Sequence, residues 1–162
     1  MKIIKSLLPI TVLCTGITAF GMKKEPNLDA QAIELLEAVQ NNDAQAVEEL
    51  LKNSPELANS YPGGIGIMRE AATYGNTQIV DLLIRAGANP TPEDSYNLTP
   101  LMMAALGGHA DVVAKLINRG ADVNAVDGSG QSAFDYVEFG GGTTEEQKEA
   151  VRKLLNDARN AQ

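Results

Sequence analysis

NLTPLMMAALGGHADVVAKLINRGADVNA, residues Asn97–Ala125, holds two short helical patterns, a turn between them and a second stop. Leu101, Ala104, Ala105 and Leu106 make an apolar run that Gly107 and Gly108 interrupt. Val112, Val113, Leu116 and Ile117 then recur at i, i+1, i+4 and i+5, one stripe of a second helix. Gly120 follows where a left-handed C-cap belongs. Neither helix can bury its stripe alone, so the unit needs a neighbour.

Neighbours occur at one fixed offset, the step that leads from Ala71 to Ala104. One step back, Ala104-Ala105 becomes Ala71-Ala72, Gly108 becomes Gly75, Leu116-Ile117 becomes Leu83-Ile84, and Gly120-Ala121 becomes Gly87-Ala88. Another step back brings Ala38-Val39, Asn42, Ala46-Val47 and Leu50-Leu51 into phase. One step forward, Thr99, Pro100 and Leu101 become Ser132, Ala133 and Phe134. A helix–turn–helix repeat with a period of about 33 residues is a solenoid signature.

Thr99-Pro100-Leu101-Met102-Met103-Ala104-Ala105, then Gly108-His109 and Gly120-Ala121-Asp122-Val123-Asn124-Ala125, resembles an ankyrin repeat, with Met102 where the family has His. The resemblance covers roughly Leu28 to Ala158 and implies an all-α ankyrin-repeat solenoid of about four helix–turn–helix units with short hairpin-like connections. The expected division is a signal peptide at 1–21, a linker at 22–27 and a repeat domain at 28–162. Its units fall at about 28–60, 61–93, 94–126 and 127–160.

Composition agrees with a thin layered core. There is no Trp, and aromatic residues make up 4% of the 162 residues, so Ala, Leu, Ile, Val and Met must do the packing. Thirteen basic against 21 acidic residues give a net charge of −8, which disfavours nucleic acid and anionic membranes as partners. Residues 1–21, MKIIKSLLPITVLCTGITAFG, read as a secretory signal: Lys2 and Lys5 ahead of an apolar Leu7–Phe20 stretch, with Ala19 and Gly21 as the small cleavage residues. Cleavage after Gly21 removes Cys14 and takes the charge from −8 to −10, leaving no cysteine for a disulfide. Leu13 before Cys14 argues against lipid attachment. The expected location is periplasmic or secreted, with no stable membrane insertion after cleavage, and a monomer.

Along the chain, Asp29 is the expected N-cap of a helix carrying Ala32, Ile33, Leu35, Leu36 and Val39, and Asp43 that of the next. This first unit is read as a cap with its outer side facing water. Gly64-Ile65-Gly66 lacks the spacing of a phosphate loop and is read as a hairpin tip needing positive φ. The entry at Gly66-Ile67 lacks the hydroxyl that Thr99 supplies. Met102 and Met103 are read as core filler. In the last unit Val112-Val113 reappear as Ala150-Val151, later than the repeat period places them, so an insertion falls near Phe139–Thr143. Thr144 with Gln147 reads as a capping box for a final helix with stripe Ala150, Val151, Leu154 and Leu155. The insertion is either a binding finger or slack.

Catalytic chemistry finds no support. There is one histidine, His109, and no Gly-x-Ser-x-Gly elbow. Asp122, Asn124 and Asp127 lack the spacing of a calcium loop. No catalytic residue, metal or cofactor is expected. The resemblance implies instead a protein-binding scaffold using hairpin tips and the exposed side of each first helix. Carried onto this chain, that face comprises Ile65, Thr73, Tyr74, Glu93, Ser95, Tyr96, Leu98, Leu106, Ser129, Gln131, Glu138 and Phe139, with Gln40, Asn41 and Pro62 beside them. Exposed aromatic groups on an acidic surface are natural anchors, so Tyr74, Tyr96, Leu98 and Phe139 stand out, unless Tyr74 or Phe139 packs on the next unit. Two settings remain open: an immunity protein sequestering a basic secreted toxin, or a periplasmic accessory to a catalase- or heme-linked stress enzyme. An enzyme with a site of unfamiliar form is the third class.

Overall fold

The computed structural model describes residues 27–91 and 96–161; the expected signal segment at 1–21, Glu93 and Ser95 lie outside them. Helices come in pairs: α1 Leu28–Gln40 with α2 Ala44–Asn53, α3 Ile67–Tyr74 with α4 Thr77–Arg85, α5 Pro100–Leu106 with α6 Ala110–Asn118, and α7 Ala133–Phe139 with α8 Glu145–Asn160. Among the described residues the extended pairing is confined to an isolated bridge between Val126 and Ser132. The odd-numbered helices stack on one another as an inner layer, α3 on α5 and α5 on α7 most extensively, and the even-numbered helices form an outer layer. One core runs through the stack, from Leu35 and Val47 through Met68, Leu83, Leu101 and Leu116 to Val151 and Leu155. This is the all-α solenoid of short helix pairs that the repeat period implies.

Helix starts follow local chemistry. Asp43 Oδ1 accepts from the Ala46 N–H at 3.0 Å, Asn76 Oδ1 from Gln78 and Ile79 at 2.9 and 3.1 Å, and Thr99 Oγ1 from Met102 at 3.2 Å. Pro100 sits in the first turn of α5, where its missing N–H costs nothing. Thr144 and Gln147 close the expected capping box on α8. At α1 the cap is Asn27, accepting from Asp29 N–H at 3.2 Å, so Asp29 lies inside the first turn instead. The α3 entry has Gly66 as cap with no side-chain hydrogen bond. Gly63 and Gly64 take positive φ as the hairpin reading requires, but Gly66 does not; there a Cβ would press on the Tyr61 ring at 3.3 Å.

The turns inside the pairs repeat one geometry. Asn42, Gly75 and Gly108, each one repeat on from the last, all take left-handed backbone with φ of 60°, 71° and 67°. A side chain from each following unit reaches back to the turn before it. The Asn76 amide hydrogen-bonds Asn42 Oδ1. The His109 ring sits against Gly75, where a Cβ would fall 2.4 Å away, and its Nε2 lies 3.1 Å from the Thr73 carbonyl. The Thr143 methyl covers Gly108, where a Cβ would come within 2.8 Å.

That last contact settles the insertion. The loop after α7 folds onto the α5–α6 turn: a Cβ on Gly140 would meet the Leu106 carbonyl oxygen at 2.5 Å, and Thr143 Oγ1 donates to the Gly140 carbonyl at 2.7 Å. It is neither finger nor slack. The buried stripe of α8 is Val151 and Leu155, with Leu154 half-buried and Ala150 exposed. Val151 and Leu155 thus take the places of Val112 and Leu116, one position later than the pairing of Ala150 with Val112 allows. Ile33 departs similarly: it is 51% exposed, while Ala32, Leu35 and Val39 are buried.

Candidate protein-binding face

Stacking the inner helices turns sequence spacing into rows. Gln40, Thr73, Leu106 and Phe139 stand at equivalent repeat positions at the ends of α1, α3, α5 and α7. Glu37, Glu70, Met103 and Tyr136 form a second row one turn earlier. Packed helices lie about 8–10 Å apart, so side chains in a row are neighbours. The first two units make these rows polar: Gln40 donates to Glu70 at 2.9 Å, and Thr73 Oγ1 donates to the Arg69 carbonyl at 2.9 Å. In the third and fourth units the rows become apolar. Met103 and Leu106 are half-buried, and the Tyr136 and Phe139 rings meet edge to face, centroids 5.8 Å apart at 74°.

Hairpins border this face. Ile65, Leu98 and Gln131, again at equivalent repeat positions, are half-buried at the entries to α3, α5 and α7. Tyr96 is 71% exposed, and its carbonyl accepts from the Gly128 N–H at 2.9 Å, tying one hairpin to the next. Within the last hairpin Asp127 organises the backbone. Its Oδ1 accepts from Ser129 and Gln131 N–H at 2.8 and 2.9 Å, and its Oδ2 from the Tyr136 hydroxyl at 2.9 Å. The Gln131 amide, with help from Tyr136, Ser129 and Gly130 and against the cost of burial, holds the Asp127 carboxyl below its ordinary range. Asp135 Oδ2 accepts from the Ser132 N–H and hydroxyl, both at 2.7 Å, and is lowered for the same reason, the Ser132 amide first. Asp127 therefore pins the loop, and through Tyr136 it also orients the aromatic pair.

The geometry is one of shape and apolar contact. A family model described as ankyrin repeats (3 copies) matches residues 35–127. The chain belongs to the ankyrin-repeat family. It is 34% identical over 114 residues to dauer abnormal formation protein 25 of Caenorhabditis elegans, covering 70% of this chain and 29% of that one. It is 30% identical over 104 residues to human protein phosphatase 1 regulatory subunit 27, covering 64% of this chain and 68% of that one. A third relative, ankyrin repeat and SAM domain-containing protein 6 of Rattus norvegicus, is 32% identical over 106 residues, 64% of this chain and 12% of its own. The chain spans less than a third of the first of these relatives and about two thirds of the second. Ankyrin repeats serve as protein-binding scaffolds, and this array is one.

Within the ankyrin array, the expected face divides. Tyr74 and Phe139 are each 52% exposed, so neither is absorbed by the next unit. Thr73, Ser129 and Glu138 are also exposed, and Leu106 and Gln131 half-buried. Glu138 is not an open carboxylate. Arg152 lies 2.7 Å from it and also 3.4 Å from Glu149 and 3.8 Å from Glu145, and the Glu138 hydrogen bond raises the guanidinium above its usual value. Met103 and Tyr136 join the face although sequence reasoning assigned Met103 to the core. Met102 is fully buried, but Met103, the next residue, stands in the Glu70 row. The repeat offset from Glu70 was the signal that could have found both. His109 is structural, bound to the Thr73 carbonyl. Among the described residues no group of three or more His, Cys, Asp or Glu side chains could hold a metal, and no helix is long and apolar enough to cross a membrane.

Proposed function

We propose that this ankyrin array is exported and acts by sequestering a basic partner protein on its inner face, in the manner of an immunity protein that blocks a secreted toxin. The observation that carries the reading is the apolar cluster Met103, Leu106, Tyr136 and Phe139, set in a chain of net charge −8. Apolar and aromatic groups at the centre of a contact supply most of the binding energy, while surrounding charge steers encounter and selects partner sign. A regulatory-subunit relative fits action by binding alone. Export rests on the leader motif, Lys2 and Lys5 before Leu7–Phe20 and Ala19-Phe20-Gly21.

The test has two arms. Mass spectrometry of the protein expressed in a Gram-negative host should find a mature chain starting at Met22 in the periplasm; an intact chain in the cytoplasm refutes export. Immobilised protein should capture a basic protein from periplasmic or culture extract, and Leu106→Asp with Phe139→Ala should lower that capture at least about tenfold. Unchanged capture by the double variant removes the inner face from the reading.

A further inference from the structure

The outer helices stack in sequence order, α2 against α4, α4 against α6 and α6 against α8. Two positions on each later outer helix are sealed: Ile79 and Leu83 in α4, Val112 and Leu116 in α6, and Val151 and Leu155 in α8 are all fully buried. In α2 the same positions, one repeat before Ile79 and Leu83, are Ala46 and Leu50, and both are only half-buried. Leu36 of α1 is half-buried beside them, and Ile33 on the same helix is 51% exposed. The far end of the stack differs. On α8 the residues next to Val151 and Leu155 are Arg152 and Asn156, so that end carries polar groups. The first unit does carry water-facing charge, with Glu34, Glu37, Glu48 and Glu49 all exposed. Beside that charge runs a partly covered apolar strip of Leu36, Ala46 and Leu50.

Register and charge describe what fits there. The two outer-helix positions are buried in α4, α6 and α8, each of which stacks on a preceding outer helix, so the occupant has that form. Residues 28–60 carry seven acidic residues against the single base Lys52. Between α4 and α6, Lys115 Nζ lies 2.8 Å from both Asp81 oxygens, a base reaching to an acid on the helix before it. Two repeats before Lys115 stands Glu49, so here the pair is reversed and the helix before it must supply the base. A second copy of this chain suits poorly. Head to head, two acidic ends would repel; head to tail, Leu50 would meet Arg152 and Asn156. We infer that the open end of α1 and α2 docks an amphipathic helix of another protein, its apolar stripe on Leu36, Ala46 and Leu50 and a lysine or arginine on Glu49. This surface is separate from the inner face.

The experiment titrates isotope-labelled full-length protein with two synthetic helical peptides, one a Leu/Ala stripe edged by lysine, the other edged by glutamate. The lysine peptide should shift amides across Leu28–Lys52 and bind at least about tenfold tighter than its counterpart. Ile33→Asp and Leu50→Asn should each weaken it severalfold or more, Glu49→Lys should invert the preference between peptides, and Phe139→Ala should change nothing. Equal affinity for both peptides, shifts centred on Met103–Phe139, or no binding at all would overturn the inference. So would a full-length dimer in sedimentation that Ile33→Asp makes monomeric, because a second copy would then be the occupant.

Discussion

Gly75 shows how little room single positions leave. Its φ of 71° and the His109 ring against it forbid a side chain twice over, once by backbone and once by contact. Gly75→Ala should cost about 1–3 kcal/mol in urea unfolding, and less in a His109→Ala background, where the contact is gone but the backbone strain remains. Equal costs in both backgrounds would show that the ring does not matter. Asp127 offers a test by pH. Its folded-state carboxyl titrates below the ordinary value of 3.8, so the stability it adds is complete above that value and is lost as pH falls through the lower folded value. The Tm advantage of wild type over Asp127→Asn should therefore be steady near neutrality and shrink on acidification below about pH 4. An advantage that grew on acidification would contradict the Gln131 and Ser129 hydrogen bonds.

Elements were legible in proportion to how local their signals are. Thr99, Asp43 and Thr144 cap helices through side chains that reach only into the first turn, and sequence spacing shows such reach directly. Left-handed Gly120 was visible for the same reason. Long-range choices were not. Arg152 takes Glu138 out of the open face, and nothing at either position announces a pair across the α7–α8 loop. The loop itself hid the α8 register, because only the docking of Thr143 on Gly108 fixes which residue follows the turn. Asn27 rather than Asp29 caps α1, two positions earlier, since either side chain can accept from a first-turn N–H and spacing alone does not choose between them. Leu116 tests the element scale. It is fully buried between α6 and its neighbours, and Leu116→Ala should lower stability by about 2–5 kcal/mol. A negligible shift of the urea midpoint would mean that the helix pairs pack in another register.

The whole molecule is held by neighbours alone, so position along the stack decides how damage spreads. A central change such as Leu83→Ala should lower one cooperative transition for the entire array, because both halves lean on α4. A terminal change, Leu155→Ala, should instead let α8 open first and split the urea curve seen by residue-resolved exchange. Identical single transitions for both variants would argue against one-dimensional coupling.

The side chains that lock each turn, Asn76 on Asn42, His109 on Gly75 and Thr143 on Gly108, all come from the later unit and point toward the earlier one. The array is thus latched like overlapping roof tiles, each course pinned by the course laid after it. Synthesis delivers the chain in that same order, so every turn waits unpinned until the succeeding segment has arrived. Trimming from the carboxyl end frees the turn of whichever unit becomes last, whereas trimming from the amino end leaves all remaining latches shut.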